Sequence, residues 1–144
     1  MKEQNIHTEL LNTIYQISEA AYQIIDNLEE KMKEEKFKNI VRKHRGEYKK
    51  ISDDSIRVFI KYGKDEKEVS PLAKATGNII VTLKTIKDDT ANLAKILMEK
   101  GNKGLLNISE KLNNYTKEDS EIVDLAKKLI KTIEENIADL KDYL

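Results

Sequence analysis

A periodic stripe of mostly apolar side chains in the second quarter of the chain restricts the fold more than any other feature. The stripe residues recur at steps that alternate between four and three, at Phe37, Val41, His44, Tyr48, Ile51, Ser55, Val58 and Tyr62. This spacing places them on one face of an α-helix and matches the heptad seam of a helical bundle. A helix over about 35–62 would be roughly 42 Å long, at 1.5 Å per residue. We therefore expect long helices packed side by side.

Similar stripes predict three more long helices and one short helix. The predicted helices span about 4–31, 35–62, 71–87, 89–114 and 120–142. Ser70-Pro71 begins the short helix, since serine is a favoured N-cap and proline suits the first helical position. Asp88-Asp89-Thr90 ends that helix and caps the next, because Asp and Thr side chains accept hydrogen bonds from free amides at a helix start.

The links between these helices predict the topology. The links at about 32–35 and 114–120 are short, so the helices that they join are antiparallel neighbours. The middle connection is too long for a hairpin and crosses along the bundle. The predicted fold is all-α, a ferritin-like four-helix bundle with a short extra helix in the crossover between the second and third long helices. Without an internal repeat or a low-complexity linker, residues 1–144 are expected to form a single domain.

The middle of the chain also resembles a known family. The matching residues are Tyr62-Gly63, the Ser70-Pro71 helix start and the segment Ile96-Leu97-Met98-Glu99-Lys100-Gly101-Asn102. This pattern is similar to a bacterial family of ferritin-like proteins of unknown function, and the resemblance implies the same fold. In that family the third long helix carries a Gly-Glu step, where this chain has Gly101-Asn102. If the family glutamate is a metal ligand, that ligand is missing here.

Composition excludes several classes of function. The chain has 26 Lys and Arg against 26 Asp and Glu and no cysteine. Zero net charge argues against a general polyanion binder, and the lack of cysteine excludes disulfides and thiolate zinc sites. No glycine-rich phosphate loop or Ser/His/Asp set supports a hydrolase or an NTPase. No apolar run approaches the roughly 20 residues of a membrane span, so a cytoplasmic protein is expected.

The residues of a di-iron site are incomplete in the sequence. Such bundles use Glu-x-x-His motifs on two helices, and neither His7 nor His44 follows a glutamate at that spacing. Glu19, Glu99 and Glu135 each lie two residues beyond a stripe position, about 200° round the helix, and should face solvent. The remaining inward or flanking polar residues are His44, Glu47, Asp89 and Asn136. We expect no cofactor; the alternative is a divergent metal-binding or oxidative-stress bundle that uses His44, Glu47 and Asp89.

Two glycines lie on the stripe of the third long helix, where each costs about 1 kcal/mol relative to alanine. Gly101 and Gly104 either leave space for a ligand or a bulky side chain, or mark a close approach of the crossover helix or a π-bulge. We favour the second, structural interpretation.

The charges are segregated along the chain. Residues 36–50 contain seven Lys or Arg and one Glu, whereas residues 1–30 contain one Lys and six acids. The favoured interpretation is that the first two helices are antiparallel neighbours with complementary charge. The alternative is an anion-binding surface formed by Arg42, Arg45, Lys49 and Lys50, although nucleic acid is not an expected partner.

The end of the second helix has more apolar surface than one seam needs. Val58, Phe59, Ile60 and Tyr62 are covered either by the short helix or by a second subunit, which would make the protein a homo-oligomer. The sequence supplies no catalytic group. We therefore predict a non-enzymatic structural or protein-interaction module whose partner the sequence does not identify.

Overall fold

Four long helices make up the part of the chain that the structure, a computed structural model, describes, namely residues 2–62, 87–116 and 120–144. They are α1 (Lys2–Leu28), α2 (Glu35–Lys61), α3 (Thr90–Asn113) and α4 (Ser120–Lys141), and a 3-10 turn at Glu29–Lys31 follows α1. The all-α prediction is confirmed for these ranges, which contain no strand, and the four predicted long helices are found within a few residues of their expected bounds. The predicted short helix over about 71–87, including its Ser70-Pro71 start, lies outside the described residues except for Lys87, which is not helical.

The helices pack as two sequential pairs that also contact each other. The most extensive contacts join α1 to α2 and α3 to α4, while α1 touches α3 and α4, and α2 touches α4. Each helix therefore packs against at least two others, as in a helical bundle.

The stripe on α2 forms its buried face, as predicted. Phe37 and Val41 are completely buried, and the stripe residues that follow remain buried as far as Val58. The Phe37 ring meets the Tyr143 ring edge-on, with 5.1 Å between ring centroids. This contact ties the start of α2 to the C-terminal end of the chain.

Complementary charge joins α1 and the turn after it to α2, as predicted. The Glu29 carboxylate accepts hydrogen bonds from both Arg42 and Arg45, and Arg45 also lies 3.3 Å from Asp26. The hydrogen bond from Arg42, with a further contribution from Arg45, lowers the pKa of Glu29 against the opposing effect of desolvation. These groups are partly exposed, so they select the neighbour of α1 more than they stabilise the bundle.

The last residues of α2 are only partly covered. Val58 and Phe59 are buried, whereas Ile60 and Tyr62 are exposed. The surplus apolar surface expected at this end therefore reduces to Ile60 and Tyr62. The short helix predicted to cover it lies outside the described residues, and the prediction of a second subunit stays untested.

Candidate functional site

A polar pair joins α2 to α4 inside the bundle. The His44 Nε2 atom lies 2.9 Å from Oδ2 of Asp139, and the imidazole is only 2% exposed while the Asp139 side chain is 45% exposed. Burial lowers the pKa of His44 although Asp139 and Glu47 act to raise it. The imidazole is therefore neutral near pH 7, and its Nε2–H donates to the carboxylate.

Tyr48 and Asn136 extend this polar region by one helical turn. Both side chains are buried, and burial raises the pKa of Tyr48 to about 12 against the opposing effect of the neighbouring Asn136 amide. A side-chain hydrogen bond between Asn136 and Tyr48 is the main effect that opposes this rise, so the two residues pair across the α2–α4 contact.

An apolar groove of about 520 Å³ reaches this polar region from the surface. Side chains from all four helices line it, including Ile17, Ala20, Ile24, Leu97, Leu106, Ile133, Ile137, His44, Tyr48 and Asn136. His44, Tyr48 and Asn136 are nearly inaccessible and form its inner end, whereas Leu106 is 71% exposed and stands at its rim. A volume of this size, with apolar walls and a few convergent polar groups, is typical of a small-molecule site.

The two glycines of α3 lie beside this groove. A Cβ atom on Gly101 would stand 3.2 Å from Cγ1 of Ile137, and one on Gly104 would stand 3.1 Å from Cγ2 of Ile17. By contrast, a Cβ on Gly46 in α2 would meet nothing within 4 Å. The glycines therefore allow close approach to side chains of α4 and α1. The π-bulge alternative is wrong, because α3 is α-helical throughout.

The three candidate metal ligands do not come together in the described part of the chain. His44 is hydrogen-bonded to Asp139. The Asp89 side chain caps α3 by accepting a hydrogen bond from the backbone N–H of Asn92 at 2.7 Å. Glu47 is half-buried, and its Oε1 has no hydrogen-bond partner among the described residues. Within residues 2–62, 87–116 and 120–144, no group of three or more His, Asp or Glu side chains is arranged to hold a metal ion.

The predicted orientation of Glu19 is wrong. This side chain lies between α1 and α2, where Oε2 accepts a hydrogen bond from the Ser52 hydroxyl at 2.6 Å and Oε1 accepts one from Gln23 at 3.1 Å. The α1–α2 contact is wide enough to cover positions beside the stripe, which the helical wheel alone assigns to solvent. Glu99 and Glu135 are exposed, as predicted.

Three of the four candidate anion-binding residues already face acidic or aromatic groups. Arg42 and Arg45 bind Glu29, and Lys49 lies 3.4 Å from Asp53 and 5.1 Å from the centre of the Tyr22 ring. Lys50 is exposed on α2. Most of these basic side chains therefore already have acidic or aromatic partners within the molecule.

Removing the Glu19 carboxylate should destabilise the α1–α2 contact. The Ser52 hydroxyl is completely buried, so Glu19→Ala leaves it without this acceptor and should lower the free energy of unfolding by about 1–3 kcal/mol. Urea unfolding measures the change. Glu99→Ala, at an exposed acid on α3, is the matched control and should change stability by less than about 0.5 kcal/mol. Equal effects of the two variants would contradict a stabilising role for this hydrogen bond.

Stability should fall as the pH drops below the ordinary His44 pKa. In the unfolded chain this histidine becomes protonated near pH 6.5, whereas in the folded chain it becomes protonated only at a lower pH. The unfolded state therefore holds more protons just below pH 6.5. For each pH unit by which folding lowers the His44 pKa, the free energy of unfolding falls by about 1.4 kcal/mol across this range. Urea unfolding between about pH 7.5 and 5 should show this loss in the wild type and a smaller one in His44→Gln. Parallel pH profiles of the two proteins would refute the prediction.

Comparisons with protein-family models, with curated proteins and with solved structures found no match. Among the described helices, none combines the length and the apolar character required to cross a membrane.

Proposed function

We propose that this protein is a non-enzymatic ferritin-like bundle that acts as a binding module and holds an apolar small molecule in the groove between α1, α3 and α4. The observation that carries this proposal is the groove itself, about 520 Å³ in volume, with apolar walls and a polar inner end. This small-molecule binding differs from the structural or protein-interaction role expected from the sequence, which stays a prediction.

Three polar residues that a metal centre could recruit already have structural roles, which supports a binding module, although Oε1 of Glu47 has no partner among the described residues. Asp89 holds the first turn of α3, and Glu19 is engaged by Ser52 and Gln23 between α1 and α2. His44 donates its Nε2–H to Asp139 and links α2 to α4.

Titration with N-phenyl-1-naphthylamine tests the proposed binding. This uncharged probe fluoresces when it enters an apolar site, and Lys100 and Lys103 at the rim of the groove do not attract it by charge. We expect saturable binding that weakens by about tenfold in Ala20→Leu, because the larger side chain occupies part of the groove. Ala138→Leu, on the exposed side of α4, is the matched control and should bind the probe like the wild type. Absence of binding, or equal loss in both variants, would overturn the proposal.

The alternative of a divergent metal-binding bundle has a separate test. Elemental analysis of the purified protein would support it only if iron, manganese or zinc were present in stoichiometric amount and were lost in His44→Ala. Circular dichroism of the variant would show whether the fold persists. Such a result would contradict the proposed module.

The predicted homo-oligomer is tested by light scattering on the purified protein. A dimer whose interface includes Ile60 and Tyr62 should dissociate in Ile60→Lys, since a charge would then be placed in an apolar contact. A wild-type protein that scatters as a monomer would contradict self-association.

A further inference from the structure

The groove carries its formal charges at the rim and not at its inner end. Of the described residues that line it, Lys100, Lys103 and Glu110 are the ones with a formal charge, since His44 is neutral near pH 7. All three are exposed and lie on α3. A charged head group of a bound molecule would therefore stay at the rim, where solvent reaches it.

The two lysines are close enough to act on one head group. They are three residues apart on α3, so their side chains are neighbours on the helix surface, with about 5–6 Å between Cβ atoms. Glu110 follows Lys103 after seven residues, about 10 Å further along the helix at 1.5 Å per residue. The lysine end of the rim therefore attracts an anion, and the opposite end repels it.

These two lysines have no acidic partner within the part of the chain that the structure describes. In residues 2–62, 87–116 and 120–144, neither Lys100 nor Lys103 forms an ion pair. Lys111, further along the same helix, instead lies 2.6 Å from the Glu9 carboxylate of α1. An anion at the lysine end of the rim would not have to displace a described carboxylate.

The groove is long and narrow in outline. Its lining runs from Gln16 to Ile25 on α1 and from Leu97 to Glu110 on α3, which corresponds to about 14 Å and about 20 Å of helix. The side chains between these limits are mostly apolar. This outline suits an extended hydrocarbon chain that lies between the two helices.

We infer that the groove takes an unbranched alkyl carboxylate, whose chain lies along the apolar walls and whose carboxylate pairs with Lys100 and Lys103. The inference rests on the proposed function and adds the chemical class of the ligand. A carboxylate has two oxygens, so it can accept a hydrogen bond from each ammonium group. The chain supplies most of the affinity, whereas the lysines supply discrimination by charge.

Displacement of N-phenyl-1-naphthylamine by three amphiphiles of equal chain length tests this inference. Decanoate, decan-1-ol and decylammonium carry a negative, a neutral and a positive head group at pH 7.5. Decanoate should displace the probe from the wild type at a lower concentration than decylammonium does. Octanoate, which is two methylenes shorter, should bind about tenfold more weakly than decanoate, since each buried methylene contributes about fourfold.

Removal of the two rim charges should affect only the charged amphiphiles. In the double variant Lys100→Gln, Lys103→Gln, decanoate should bind about three- to tenfold more weakly, the contribution of two exposed ion pairs. Decan-1-ol should bind this variant as it binds the wild type. The matched control is Lys95→Gln, Lys127→Gln, which removes two exposed charges from α3 and α4 outside the groove and should leave decanoate binding unchanged.

The outcomes separate this inference from the proposed function. If N-phenyl-1-naphthylamine binds but decylammonium displaces it better than decanoate, the preference for a carboxylate is refuted while the binding module stands. Equal loss of decanoate affinity in the two double variants would likewise refute pairing at Lys100 and Lys103. If neither the probe nor any amphiphile binds the wild type, both proposals fail. Loss of decanoate affinity in the rim variant alone, with decan-1-ol unaffected, supports both.

Discussion

The variant Phe37→Ala should lower the free energy of unfolding by about 3–5 kcal/mol, the range measured when a buried phenylalanine is truncated in a packed core. Phe37 is completely buried in the first turn of α2 and contacts Tyr143 edge-on. Its removal leaves a cavity where the start of α2 meets the C-terminal end of the chain. Aromatic pairs in this geometry add about 0.5–1.5 kcal/mol beyond the apolar area that they bury.

Urea unfolding followed by circular dichroism measures this loss, with Leu106→Ala as the control. Leu106 is a large apolar residue on α3 that is 71% exposed, so its truncation should change stability by less than about 0.5 kcal/mol. Tyr143→Ala should cost less than Phe37→Ala, since Tyr143 is only partly buried. A Phe37→Ala protein as stable as the Leu106→Ala protein would show that this end of the bundle is not packed as described.

The long helices could be predicted from the sequence because their signal is local. On α2 the alternation of four- and three-residue steps identifies a buried face that runs from Phe37 to Val58. The N-cap at Asp89 is also local, since its side chain accepts a hydrogen bond from the backbone N–H of Asn92, only three residues later. Segregated charge was enough to predict that α1 and α2 are neighbours, because opposite charges on adjacent faces favour one pairing over others.

The candidate site could be predicted only in part, because its contacts join distant parts of the chain. The buried position of His44 follows from its place on the stripe, but Asp139, its partner, is 95 residues away and at the exposed edge of α4. The position of Glu19 could not be predicted for a similar reason. A helical wheel gives the direction in which a side chain points, but not how much of the helix surface the neighbouring helix covers. The groove depends on the separation of α1, α3 and α4. The only sequence signal for it is the pair of glycines at 101 and 104.

The sequence predicts that Asn136 lies on or beside the buried face of its helix, and the side chain is 3% exposed. A polar residue beside an apolar stripe can be buried, but only coordinates show which neighbours it contacts. Here the neighbour is Tyr48 on α2, and its side-chain hydrogen bond with Asn136 lowers the Tyr48 pKa against the larger effect of burial.

Truncation of Ile133 should have the second largest effect on stability and should also change the groove. Ile133 is 1% exposed, lines the groove and stands opposite both glycines, with its Cγ2 3.6 Å from the Cβ position of Gly101. Ile133→Ala should lower the free energy of unfolding by about 2–4 kcal/mol, and Ile133→Val by about 0.5–1.5 kcal/mol. Ile60→Ala makes the same deletion at a residue that is 52% exposed and should cost much less.

The position of Ile133 at the groove gives this series a second measurable consequence. The space left by Ile133→Ala adjoins the groove, so an apolar molecule bound there can replace part of the lost contact. A ligand that binds only the folded state stabilises it in proportion to its occupancy. N-phenyl-1-naphthylamine should therefore raise the unfolding temperature of Ile133→Ala by more than that of the wild type at the same concentration. A smaller rise in unfolding temperature for Ile133→Ala than for the wild type would contradict this prediction. It would show that the Ile133 side chain contributes more to binding than the added space does.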